Sequence, residues 1–127
     1  MNTYPIEIKG MAPLLLVADL ERSLAFYETY LDFKTSFFYE DFYAGLTNGA
    51  HQLHLKLGDP KVGRAHKGPD DIDLTFSVAA IRPIFEAVSA AGATIAQPLR
   101  EMPYGTEFYV VDPDGHILAF LEVNEPG

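Results

Sequence analysis

The chain repeats itself. Shifting the sequence by 61 residues sets Val17 on Val78, Leu20 on Ile81, Leu24 on Phe85 and Tyr27 on Val88. The first half opens on an apolar run, Met11 to Val17, with the composition of a buried strand, and Asp19 then stands where a helix N-cap belongs. Leu20, Leu24, Tyr27 and Leu31 recur with helical spacing and predict a helix over 19–31. Residues 33–39 and 42–47, rich in aromatics, predict two strands, and Asn48-Gly49 is a hairpin signal leading into a third, 52–57. In the second half the alternating segment 73–78 predicts a strand, and Ile81, Ile84, Phe85 and Val88 predict a helix closed by Gly92. Strands follow over 94–99, 106–111 and 116–123, the last two joined by the turn Asp112-Pro113-Asp114-Gly115.

Two βαβββ modules therefore make an α+β chain. One helix covers one face of its sheet and leaves the other bare, so the modules are expected to pair, with mixed sheets curved around a cavity. The boundaries are about 8–57 for module one and about 71–124 for module two. Between them lies a linker, 58–70, holding three Gly, two Pro and no period. The whole is one domain.

Composition narrows the function classes. The chain has no cysteine, which removes disulfides, thiolate nucleophiles and cysteine-held metals. Its formal charge of −9 with scattered Lys and Arg disfavours nucleic acid and anionic membranes, which both require a basic face. No apolar run approaches the roughly 20 residues of a bilayer crossing, and the N-terminal residues lack the basic-then-apolar build of a secretory signal. A cytoplasmic address is the expectation. No Gly-x-Ser-x-Gly elbow, phosphate loop or dinucleotide fingerprint is present.

Strand alternation selects candidate site residues. Gln52, His54 and Lys56 share one face of their strand against Leu53, Leu55 and Leu57; Asp73, Thr75 and Ser77 oppose Leu74, Phe76 and Val78. The polar faces, with His54 and Asp73 on them, are expected to look into the cavity. His51 falls on the other face and His66 in the linker, both read as ordinary surface residues, and His116 flanks the Asp-Pro-Asp-Gly turn. Phe37 and Phe38 point opposite ways, so one of them is core. Tyr104, between Pro103 and Gly105, lies on a loop with little to bury it, and Glu107 on its strand flank is expected to be solvated.

The stretches Val-Ala-Asp-Leu-Glu-Arg-Ser-Leu-Ala-Phe-Tyr (17–27) and Phe-Tyr-Val-Val-Asp-Pro-Asp-Gly-His-Ile-Leu (108–118), carried on paired βαβββ modules, resemble the vicinal oxygen chelate superfamily. That group includes glyoxalase I, extradiol dioxygenases, fosfomycin-modifying enzymes and bleomycin resistance proteins. The resemblance spans about residues 11 to 123. One departure is Asp32, where the family has Gly after the first helix; Asp tolerates the left-handed turn that position needs. Counting from the two motifs, the family's metal-ligand positions fall on Ala12, His54, Asp73 and Ala119. Two alanines leave one imidazole and one carboxylate, short of the three protein ligands a catalytic metal site takes.

The resemblance thus implies the metal-free branch, with no cofactor, in which the chain sequesters a planar aromatic small molecule, cationic forms included, such as an antibiotic. A homodimer is implied as well. A metal-dependent lyase, isomerase or dioxygenase built on His54 and Asp73 is the alternative. Pro103-Tyr104-Gly105-Thr106-Glu107-Phe108 is similar to a bleomycin-resistance segment whose aromatic stacks on the drug. The implied ligand contacts are Phe38, His54, Asp73, Tyr104 and Phe108, with Phe38 as the facing aromatic wall.

Overall fold

A computed structural model describes residues 4–61, 68 and 70–125; His66 and most of the linker lie outside them. The order is β1 (Leu14–Val17), α1 (Leu20–Leu31), β2 (Lys34–Tyr39), β3 (Tyr43–Asn48) and β4 (His51–Leu57). After the linker come β5 (Ile72–Ser77), α2 (Ile81–Ala90), β6 (Thr94–Met102), β7 (Gly105–Val111) and β8 (Ile117–Val123). Each half forms a four-stranded mixed sheet of the same topology, β1-β4-β3-β2 in the first and β5-β8-β7-β6 in the second. The first and fourth strands of each module pair in parallel and the remainder antiparallel. The repeat in the sequence is a repeat in the fold.

Local chemistry sets the boundaries. Asp19 caps α1 by accepting the Arg22 N–H, and Asp32 ends it in the left-handed region at φ 55°. Asn48 donates its side-chain amide to the carbonyls of Leu31 and Asp32, so the hairpin signal also ties β3 to the end of α1. The hairpin loop itself is Gly49-Ala50, with Asn48 paired to His51. Residues 11–13, expected in the first strand, fall outside it, although the Pro13 carbonyl still accepts the His54 N–H at 2.9 Å. β6 runs to Met102, past Pro98, which an edge strand tolerates.

The helix-facing sides of the two sheets share one core. Leu15, Leu46 and Leu55 of the first module join Phe108, Leu118 and Phe120 of the second in a continuous buried cluster with both helices. The rings of Tyr27, Phe33, Phe76 and Phe120 run through it from one module to the other. A polar seam reinforces the contact. The buried Tyr27 hydroxyl donates to Asp112 at 2.8 Å, and Asp114 accepts from the Ala18 N–H and the Ser23 hydroxyl. His116 Nε2 donates to the Leu16 carbonyl at 2.8 Å. Burial, with Asp112 alongside, pushes the Tyr27 phenol far up. His116, read from sequence as a turn neighbour, is thus a buried tie between modules. Among the described residues no helix is long and apolar enough to cross a membrane.

Candidate functional site

With one face of each sheet committed to the core, the site residues stand on the opposite faces. On the first sheet the ladder sets Phe37, Gly45, His54 and Leu14 in one row. The next row holds Tyr39, Tyr43, Lys56 and Leu16. Paired residues share a face, so Gln52, His54 and Lys56 do lie opposite the buried Leu53 and Leu55.

The centre of this face is a bed of rings. Phe37 stacks on Tyr43 at 6.2 Å between centroids and 18° between planes, and its ring meets His54 edge-on at 5.4 Å. The Tyr43 hydroxyl and His54 Nδ1 share a hydrogen bond at 2.7 Å. Gly45 makes room: a Cβ there would overlap the Phe37 ring. Phe37 stays 43% exposed, so its ring remains accessible.

Phe38 corrects the sequence expectation. Its ladder partner is Ala44, which is buried in the core, so Phe38 points to the helix side of the sheet at its β2 edge. The bulge between Thr35 and Phe37 fixes which of the two phenylalanines joins His54, and alternation alone could not place it. Neither is core: Phe38 is 57% exposed.

On the second sheet, Glu107 and Tyr109 face away from the core, while Phe108 between them is fully buried. Phe108 stacks on Phe120 at 5.0 Å and meets Phe85 edge-on at 5.1 Å. It packs the core beneath α2 and cannot serve as a ligand wall, a second correction. Glu107, expected to be solvated, is 4% exposed and accepts from Tyr104, Tyr109 and Arg100. Burial pushes its carboxyl up, but the three donors outweigh that and hold it below the usual carboxylate range. The Tyr104 phenol, bonded to Glu107, is pushed up to about 12. Arg100 also lies over the Tyr109 ring at 5.4 Å. Tyr104 is 46% exposed, as a loop position implies, with its hydroxyl anchored. The signal for Glu107 was Tyr109 two residues along the same strand face and Arg100 opposite it across the β6–β7 hairpin.

The expected His54–Asp73 pair is replaced by other partnerships. Asp73 sits at a bulge in the β5–β8 ladder, where its Oδ2 accepts the Ile117 N–H at 2.8 Å and lies 3.8 Å from His116 Nδ1. His54 is held by Tyr43. With Ala12 and Ala119 offering no donor atoms, these four positions do not fit a three-ligand metal centre. Asp112, Asp114 and His116 also cluster, their ligand atoms within 4.8 Å of one another. Their oxygens are taken up by Tyr27, Ser23, Ala18, Arg22 and turn amides, and His116 by Leu16. That cluster is the seam between modules.

Comparison with known proteins agrees with this fold. The family profile described as Glyoxalase/Bleomycin resistance protein/Dioxygenase superfamily matches residues 11–120. No curated protein matches the sequence significantly. Among solved structures the chain is similar to TioX from Micromonospora sp. ML1, with TM-score 0.73 and 21% identity over 90% of this chain and 98% of that one. It is also similar to the bleomycin-binding protein from Streptomyces verticillus, solved with copper(II)-bleomycin, with TM-score 0.71 and 22% identity over 94% of this chain and 100% of that one. The fosfomycin resistance protein FosX from Listeria monocytogenes gives TM-score 0.73 and 18% identity over 93% and 96%. At these identities the likeness is one of fold.

Proposed function

The chain belongs to the glyoxalase/bleomycin resistance protein/dioxygenase superfamily, and from that premise we propose that it binds and sequesters a planar aromatic small molecule without metal and without turnover. The observation that carries this reading is the aromatic bed of Phe37, Tyr43 and His54 over Gly45, with alanine at two of the four positions to which the family resemblance assigns metal ligands. An exposed ring held in place by its neighbours offers a stacking surface at little entropic cost, contributing about 0.5–1.5 kcal/mol per contact beyond burial. A similarly folded protein was solved with a drug, copper(II)-bleomycin, so the fold admits such ligands.

The test uses 9-anthracenemethanol, a neutral planar fluorophore, titrated into the full chain. Phe37→Ala and Gly45→Ala, the second displacing the Phe37 ring rather than deleting it, are each expected to weaken binding at least fivefold. Binding unchanged in both variants would remove the site from its role. Elemental analysis of protein purified without chelators is expected to show far less than one divalent metal per chain. A full equivalent would favour the metal-dependent alternative.

The same reading includes a homodimer. Tyr4, Ile6 and Ile8 recur at every second position as the apolar face of a strand does, yet they are 68%, 71% and 67% exposed and, among the described residues, pair with no strand of their own chain. Fully burying such side chains stabilises by about 1.5–3 kcal/mol each, and a second copy presents free β2 and β6 edges to receive them. The protein is expected to elute as a dimer at micromolar concentration, and the double variant Ile6→Glu/Ile8→Glu as a monomer. A wild-type monomer would refute the assembly.

A further inference from the structure

The chain carries −9, yet its acid is not on the aromatic face. The four strands of the first sheet contain no Asp or Glu at all. Their charged side chains are Lys34 and Lys56, and the ladder puts both on the Phe37 side: Lys34 pairs with Thr47, Lys56 with Tyr43. Lys56 therefore stands directly beside the ring stack, one ladder row from His54. Tyr43 occupies His54 Nδ1, so Nε2 is the ring nitrogen left to meet a ligand, and it does so as a donor in the tautomer in which the phenol donates to Nδ1. The neighbouring acids Glu40 and Asp41 belong to the β2–β3 turn, beyond the last ladder pair, Tyr39 with Tyr43. On the second sheet the outward Glu107 is neutralised by Arg100 at 2.7 Å, and Asp73 is bonded to the Ile117 amide.

We propose that the ligand of this face is a planar aromatic anion, its ring on Phe37 and Tyr43 and its carboxylate, phenolate or sulfonate against Lys56 and His54. This rests on the aromatic-binding reading above and narrows it, reversing the cationic preference that net charge alone would suggest. An ammonium on the ligand would meet donors and cations in place of acceptors, and like charges brought together cost affinity where they are not solvated. The acid elsewhere on the chain lies outside that contact and acts mainly through a field that salt screens within about 10 Å.

Three fluorophores sharing one ring system separate the possibilities: 9-anthracenecarboxylate, 9-anthracenemethanol and 9-(aminomethyl)anthracene, titrated into the full chain at 0.15 M salt (about 8 Å screening length). The carboxylate is expected to bind at least tenfold tighter than the amine, with the alcohol between them. Lys56→Gln is expected to weaken the carboxylate three- to tenfold and leave the alcohol unchanged, which a merely structural lysine would not do. An amine that binds as tightly as the carboxylate, or a carboxylate indifferent to Lys56→Gln, overturns the proposal while Phe37→Ala still weakening all three keeps the aromatic reading. Failure of all three to bind, or indifference of all three to Phe37→Ala, overturns both.

Discussion

Asp112→Ala is expected to destabilise the protein by about 3–5 kcal/mol, lowering the unfolding midpoint by roughly 10–25 °C. The carboxylate is 4% exposed and has three donors: the Tyr27 hydroxyl at 2.8 Å and the backbone N–H groups of Asp114 and His116 at 2.9 Å each. Removing it strands the phenol of Tyr27, itself fully buried, and frees the turn that aims Asp114 at Ala18 and His116 at Leu16. An orphaned buried donor costs about 1–3 kcal/mol and the lost charged acceptor adds to it. Tyr27→Phe, which leaves Asp112 two donors, is expected to cost only about 1–2 kcal/mol. Combining the two changes should cost less than their sum, because both delete one shared bond. Urea unfolding measures all three. A single Asp112→Ala cost under about 1 kcal/mol would show that the modules hold together by apolar packing alone.

That seam marks where the sequence stops being legible. The repeat, the helices and the strand faces of β4 and β5 could be read from spacing, because burial imposes periods of 3.6 and 2 on any segment that packs one face. Asp112 and Gly115 were readable as turn residues, and they do close the turn: the Gly115 N–H bonds the Asp112 carbonyl at 3.1 Å. Nothing in a local window could say that the same Asp112 side chain also receives Tyr27, 85 positions away. His116 and Leu16 were hidden in the same manner, joined across 100 positions. Phe37 and Phe38 failed for a different reason. A bulge at Thr35/Phe37 inserts one residue and resets which of them shares a face with His54, and bulges leave no period to detect. Glu107 was misplaced because burial of a carboxylate depends on partners, and Arg100, Tyr104 and Tyr109 reach it only once the β6–β7 hairpin folds.

Phe108 and Phe37 should therefore behave as opposites. Phe108→Ala is expected to cost about 3–5 kcal/mol, the range for deleting a buried aromatic where the site cannot collapse. The ring is fully enclosed between Phe120, stacked nearly parallel at 5.0 Å, and Phe85, at 5.1 Å. Both neighbours belong to different elements, β8 and α2, so neither can move into the void without disturbing the layer it anchors. Ligand affinity, measured below the lowered midpoint, should be nearly unchanged, because Phe108 lies on the core side of its strand. Phe37→Ala should do the reverse. Its ring is 43% exposed and rests on glycine backbone, so its loss costs under about 1 kcal/mol of stability while removing the ligand's platform. Thermal unfolding with and without 9-anthracenemethanol reads both quantities from one sample. A Phe108→Ala protein that keeps its midpoint but loses the ligand would return Phe108 to the binding face and reverse the assignment of sides on β7.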